Sequence, residues 1–311
     1  MMESMIVVTC PGQGSQTPGF LLPWIEDTRN RDTLEQLSAS SGIDLVKHGT
    51  ESDADTIRDT AVAQPLIVAA GILAWNSLME IPGAAAAIGG VAGHSVGEIT
   101  AAYAAGIFDA DTAMRFVARR SQLMAQDAAA TPTSMSAVLG GDEDAVLARL
   151  AELDLTPANF NGGGQIVAAG APEALAALRS EPAPGTRVIP LKVAGAFHTR
   201  YMEQARTTLT ADAEHFEVRD PVRTIWSNET GSVVTDGVEF RAALIRQLAQ
   251  PVRWDACMRA FADAGVTSLI ELAPAGTLSG LAKRALKGTP TLALSTPADL
   301  DVARERIAAD V

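Results

Sequence analysis

The chain has 311 residues, 47% hydrophobic and 20% charged, and its 24 Lys plus Arg against 37 Asp plus Glu leave a net charge of −13. This length and apolar content supply a full buried core and exclude a disordered chain. The acidic balance excludes an electrostatic nucleic-acid binder, and any anionic ligand must be met by a local basic site.

The opening Ile6-Val7-Val8-Thr9-Cys10 is a β-branched run that stops at the glycine-rich turn Pro11-Gly12-Gln13-Gly14-Ser15-Gln16, so a buried strand followed by a functional loop is predicted. Residues 60–79 are apolar with few charges and contain Pro65, where a buried helix could begin. Residues 87–93 lead as a strand into His94-Ser95-Val96-Gly97-Glu98, and the small residues from Glu98 to Phe108 suit a closely packed helix. After Pro132 the rhythm changes. Strands are predicted at 134–139, 155–160, 165–169 and 187–193, with helices at 143–152 and 172–179, which is a βαββαβ, ferredoxin-like unit. The larger α/β body resumes near His198, with helices at 199–215, 240–248 and 256–264 and a strand at 268–272.

Cys10 and Cys257 lie far apart and in no CxxC pair, which argues against a disulfide framework or a cysteine-based zinc site and for a reducing, cytoplasmic compartment. Met1 to Ile6 lacks the cationic and long apolar regions of a secretory signal, so no export is expected. Apolar runs such as Leu66 to Trp75 fall short of the ~20 residues of a membrane span, and no membrane contact is expected.

Gly93-His94-Ser95-Val96-Gly97 fits G-x-S-x-G between a predicted strand and helix, the context of a nucleophile elbow. Glycines on either side leave Ser95 exposed at a helix N-terminus, although a plain turn with Ser95 as N-cap fits the same pattern. A serine needs a base. His48 and His215 lie in polar segments, and His94 adjoins Ser95 so that its ring should point away from the hydroxyl. His198 ends an apolar run at a strand-end position from which it could reach Ser95, and a capping or core histidine fits there equally well. Gly12 to Thr17 lacks the third glycine of a dinucleotide fingerprint, and no P-loop or H-E-x-x-H motif occurs. Acyl chemistry on serine is left as the leading enzyme class, with no metal or redox cofactor.

Eight ordered motifs extend this reading: Pro11 to Gln16, Ala63-Gln64-Pro65, Gly93 to Glu98, Arg120 followed by Met124, Asn159-Phe160-Asn161, Phe197-His198, Gln250 to Trp254, and Pro274 to Leu281. With them the chain resembles, over nearly its whole length, the malonyl-CoA:acyl-carrier-protein transacylases of fatty-acid synthesis. The resemblance implies an α/β fold in which a hydrolase-like parallel-sheet domain, 1–130 and 196–311, is interrupted by a ferredoxin-like subdomain, 131–195. It implies ping-pong transfer of malonyl from malonyl-CoA through Ser95 to acyl carrier protein, with His198 as base and the backbone N–H groups of Gln13 and Val96 as oxyanion hole.

In that family a main-chain carbonyl orients the histidine, here that of Gln250, with Asp255 and Glu229 as less favoured orienters. Arg120 matches the position that clamps the malonyl carboxylate. Phe116, Val117, Arg120, Leu123 and Met124 share a partly apolar helix face, where an arginine calls for an anionic partner. Phe197 should crowd an α-methyl branch and favour malonyl over methylmalonyl, or serve as a core aromatic, or both. Asn161, as a substrate-binding residue, and His94 fall near the active site of the family without an assigned chemical step. Lys283, Arg284 and Lys287 read as an ordinary charged helix face or as a rim for phosphates and an acidic carrier protein. A monomer is expected, acting on malonyl-CoA and acyl carrier protein and binding no nucleic acid. The rival readings are an acyltransferase of a polyketide-type synthase, a serine esterase and a non-catalytic scaffold.

Overall fold

The structure, a computed structural model, describes residues 5–310. Residues 1–4, most of the start considered above for a secretory signal, and residue 311 lie outside the described residues.

Among the described residues ten strands occur in chain order: β1 (Ile6–Cys10), β2 (Ile88–Gly93), β3 (Ser134–Gly140), β4 (Thr156–Gly162), β5 (Gln165–Gly170), β6 (Thr186–Pro190), β7 (Thr224–Trp226), β8 (Val252–Arg253), β9 (Ser268–Glu271) and β10 (Thr291–Ala293). Five form a wholly parallel sheet in the order β10-β9-β1-β2-β7. Every residue of β1 is buried, as a central parallel strand covered on both faces requires. The chain runs outward from β1 through β2 to β7, then returns to the other side of β1 for β9 and β10. This change of direction opens a crevice at the carboxyl ends of the central strands, where ligands of such sheets bind.

Helix Thr60–Met79 packs against helices Gly97–Ala104 and Ala110–Ala130. Asp59 caps it by accepting from the Ala61 N–H at 2.8 Å, so the helix starts five residues before Pro65 instead of at it. Pro65 forgoes one backbone hydrogen bond in the second turn, which the burial of nearly the whole surrounding surface outweighs. By length and hydropathy this helix could cross a bilayer, yet 78% of its most apolar window is buried inside the protein, as an all-round apolar core helix should be.

The second sheet has the order β6-β3-β5-β4-β8. Its first four strands are antiparallel, and helices Glu143–Glu152 and Pro172–Ser180 enclose a small core with them, so the βαββαβ unit is present as read. Two details differ. The last strand stops at Pro190, which releases Leu191 and Val193 to line a cavity. The fifth strand, β8, comes from outside residues 131–195 and pairs parallel with β4, Asn159 opposite Val252 and Phe160 opposite Arg253. Its Arg253 guanidinium stacks 4.5 Å from the Phe160 ring centroid. The boundary at 131–195 therefore omits one strand of this sheet.

Between β2 and helix Gly97–Ala104 the chain reverses within three residues, with Ser95 at φ 52°. A Cβ on Gly93 would lie 2.1 Å from the Gly97 carbonyl carbon, and one on Gly97 would lie 2.1 Å from the Cys10 carbonyl oxygen. Both contacts are backbone on backbone. Gly97→Ala is accordingly expected to destabilise the fold by about 1–3 kcal/mol or more. A chemical unfolding curve superimposable on that of the parent would show that the turn can yield.

Candidate active site

The segments after β1, β2 and β9 meet one face of the second sheet around a cavity of about 300 Å³. Gln13, Ser95, Val96, Asn161, Phe197 and His198 all line it. Six of the eight positions singled out from the sequence are thus brought together; Arg120 and Gln250 are not among the lining residues.

Ser95 stands on the reversal after β2, and its Oγ lies 2.8 Å from His198 Nε2. His198 follows β6 by eight residues and is itself at φ 62°. Its Nδ1 lies 2.8 Å from the Gln247 carbonyl oxygen. A carbonyl can only accept, so the ring proton sits on Nδ1 and the Nε2 lone pair faces the serine hydroxyl. Burial first, and then the Arg120 charge, press this imidazole from its ordinary 6.5 down to about 3, against the pull of the Gln247 carbonyl. The imidazole is therefore neutral at rest and able to accept a proton.

The orienting carbonyl belongs to Gln247, not to the expected Gln250. Helix Gly237–Arg246 tightens at its end into the 3-10 turn Gln247–Ala249, and this turn directs the first of its carbonyls toward His198. Gln250 is exposed one turn later, where its N–H donates to the same Gln247 oxygen at 3.4 Å. The two acidic alternatives are engaged elsewhere. Asp255 accepts from Arg253 at 2.9 and 2.8 Å and pairs with Arg259, and Glu229 holds Arg246 in a fork at 2.7 and 2.9 Å.

Arg120, on helix Ala110–Ala130, is fully buried one layer behind the cavity wall. Its Nη1 donates to Gln64 Oε1 at 2.6 Å and its Nη2 to Gln247 Oε1 at 2.8 Å, while its Nε has no partner among the described residues. The anionic partner expected of it is not in contact. Instead the nearest acid, Glu98, acts through an amide: the Gln247 side-chain NH2 that backs the Arg120 contact donates to Glu98 Oε2. Glu98 Oε1 accepts the Asn228 N–H at 2.6 Å. Burial raises Glu98 to about 8, with Arg120 among the groups opposing, and lowers Arg120 to about 10, with Glu98 opposing.

Asn228, just after β7, was not marked by any sequence pattern. It is completely buried, its Oδ1 accepts the Ser95 N–H at 2.8 Å, and its Nδ2 donates to the Gly93 carbonyl at 2.5 Å. It thus fastens the chain on the N-terminal side of the strained serine. Gln64 and Glu98 lie inside quoted motifs, Ala63 to Pro65 and Gly93 to Glu98, but their roles needed the fold.

Among the described residues the N–H groups of Gln13 and Val96 have no protein acceptor, so both are free to donate into the cavity. The Gln13 side chain turns away and donates to the Arg58 carbonyl at 3.0 Å. The Asn161 Oδ1 accepts from His94 Nε2 at 2.9 Å, with the His94 ring edge-on to Trp254 at 5.8 Å. That ring points away from the serine hydroxyl, as its position next to Ser95 required. Phe197 is buried against the cavity. Lys283, Arg284 and Lys287 are exposed, on and just after the helix Thr277–Ala285 whose Leu278 and Leu281 form part of the cavity wall. Arg284 donates to Gln165 Oε1 at 3.0 Å.

The family model of the acyl transferase domain matches residues 7–308. The malonyl CoA-acyl carrier protein transacylase of Mycobacterium tuberculosis strain H37Rv is 48% identical over 297 residues, covering 96% of this chain and 98% of the relative. The crystal structure of MCAT from Mycobacterium tuberculosis has a TM-score of 0.93 at 48% identity, covering 96% of this chain and 99% of that one. A malonyl-transacylase in complex with its holo type II PKS acyl-carrier protein has a TM-score of 0.90 at 30% identity, covering 97% of this chain and 99% of that one.

A serine activated by a histidine loses reactivity when the histidine is protonated. Because His198 is depressed from 6.5 to about 3, its neutral form persists as pH falls through the ordinary imidazole range and is lost only near the lower value. The acid limb of serine acylation, measured as a single-turnover rate against pH, is expected well below 6.5; a limb centred on the ordinary imidazole value would contradict this burial effect.

Proposed function

The chain belongs to the acyl transferase domain family, and from that membership we propose that it transfers malonyl from malonyl-CoA to the phosphopantetheine thiol of acyl carrier protein. The observation that carries the reading is the Ser95 Oγ to His198 Nε2 contact of 2.8 Å, with the imidazole tautomer fixed from behind by Gln247.

The cycle is ping-pong. His198 Nε2 takes the Ser95 proton as Oγ attacks the thioester carbonyl carbon. The oxyanion that forms receives the N–H groups of Gln13 and Val96, and the loss of one such donor typically costs ~3 to 4 kcal/mol of barrier. The C–S bond then breaks, and CoA leaves as a thiol with the proton from His198. In the second half His198 deprotonates the carrier-protein thiol, whose sulfur attacks the malonyl-Ser95 ester, and Ser95 regains its proton. No metal or redox cofactor enters any of these steps.

Arg120 is the residue for the distal carboxylate. Its unpartnered Nε is a buried donor that a carboxylate would satisfy. To reach it, the acyl group has to displace Gln64, the cavity-lining amide in front of it. Gln64 is loosely held on its other side, where its Nε2 rests on the Met124 thioether at 3.5 Å. Phe197 narrows the cavity against an α-methyl branch, a preference worth only ~1 to 3 kcal/mol. Both halves of the reaction are completed by residues of one chain, which fits a monomer working in the cytoplasm on type II fatty-acid synthesis. The resemblance to a transacylase bound to a polyketide carrier protein favours one second reading, service to polyketide synthesis with the same chemistry.

Intact-mass analysis after malonyl-CoA treatment is expected to show one malonyl adduct that acyl carrier protein discharges and that Ser95→Ala abolishes. An adduct persisting on Ser95→Ala, or one lost to water as fast as to the carrier, would sink the proposal. Arg120→Ala is expected to weaken malonyl loading by at least about tenfold more than acetyl loading, since only malonyl loses a charged partner. Equal losses for both acyl groups would remove Arg120 from the carboxylate site.

A further inference from the structure

We propose that Glu98 is a selectivity-positioning residue: through the Gln247 side chain it holds the Arg120 guanidinium in the orientation that reads the acyl carboxylate. The inference rests on the reading of Arg120 given above and adds the group that aims it.

The argument starts from the two ends of one amide. Arginine can only donate hydrogen bonds and a carboxylate can only accept them. Gln247 Oε1 takes Arg120 Nη2 at 2.8 Å, and Gln247 Nε2 donates to Glu98 Oε2 and lies 3.4 Å from the Ser95 carbonyl. Rotating this amide by half a turn would set donor against donor at Arg120 and acceptor against acceptor at Glu98. The accepting oxygen of Glu98 therefore holds the NH2 end of Gln247 and keeps its carbonyl end on the guanidinium. Glu98 cannot swing away to relax this demand, because it is buried and its other oxygen is fixed by the Asn228 N–H at 2.6 Å.

The opposite side of the guanidinium is held differently. Gln64 Oε1 accepts Nη1 at 2.6 Å, but its NH2 end has only the Met124 sulfur, a weak acceptor, to define it. Arg120 thus has one hold braced by a buried acceptor and one that can yield. When a carboxylate takes the place of Gln64, the Glu98–Gln247 side is what keeps the guanidinium plane fixed for a two-point contact. Without that acceptor at Glu98 the Gln247 amide is free to turn, and Arg120 remains a cation without a set plane. An acyl group carrying a carboxylate suffers from this, whereas one without a carboxylate suffers less.

The test is the ratio of malonyl to acetyl loading rates, from single-turnover intact-mass measurements with malonyl-CoA and acetyl-CoA. Glu98→Gln keeps size and shape but, with its one oxygen needed by the Asn228 N–H, sets an NH2 donor against the Gln247 NH2; the ratio is expected to fall about tenfold. Gln247→Met keeps the main-chain carbonyl on His198 while deleting the amide, and the same fall is expected; it decides the matter if Glu98→Gln does not fold, as judged by thermal unfolding. Equal losses of both acyl groups, leaving the ratio unchanged in these variants while Arg120→Ala lowers it, would overturn the assignment of Glu98 alone. An unchanged ratio in Arg120→Ala would overturn the reading of Arg120 itself, and this inference with it.

Discussion

The site depends on a serine held in a backbone conformation that serine rarely adopts. A left-handed φ costs roughly 1–2 kcal/mol for a residue with a Cβ, and Ser95 sits at 52°. Three separate stretches of chain impose it. Gly97 presses on the Cys10 carbonyl from β1, Gly93 closes on Gly97, and Asn228 from the end of β7 pins the Ser95 N–H and the Gly93 carbonyl together. His198, the other half of the reacting pair, is left-handed as well, at 62°. The two strained residues face each other, so the 2.8 Å contact between them is set by packing at a distance and not by the flexibility of either side chain.

Behind this pair lies a small electrostatic circuit. Arg120 lowers the proton affinity of His198 and supports ionisation of Glu98, while Glu98 supports the charge on Arg120. On the proposed function, a malonyl carboxylate arriving at Arg120 offsets the positive charge that opposes an imidazolium. Substrate binding and the strengthening of the base then become one event, because the same guanidinium serves as receptor for the one and restraint on the other. On the proposed function, a chain with a net charge of −13 meets its anionic acyl group with a fully buried cation, away from its own acidic surface.

Much of this was legible in the sequence where the signal is local. The strand, turn and helix around Ser95 follow from β-branched residues, two glycines and small residues in succession, and the βαββαβ unit follows from alternating periodicities with turn residues between them. What was not legible depends on residues meeting across the fold. Gln250 was expected to orient His198, and the carbonyl is that of Gln247, because a 3-10 turn closes the helix three residues earlier than the motif marks. Pro65 reads as a helix start and lies in a second turn, since burial of the whole helix overrides the local preference. Asn228 carries no pattern at all; an asparagine between a serine and a glutamate has no visible reason to be buried until β7 sets it beneath the reversal.

The strand β8 gives the inserted unit a further property. Ferredoxin-like insertions invite treatment as cassettes, to be traded between related proteins by cutting at their two chain junctions. Here the sheet edge is closed by Val252 and Arg253, which arrive almost sixty residues after the insertion has ended and carry their own stacking contact with Phe160. A chimera cut at the junctions alone would graft a foreign β4 onto a native β8, one residue away from Asn161 and the wall of the cleft. The unit of exchange is discontinuous: the four-strand insertion together with the short segment that completes it.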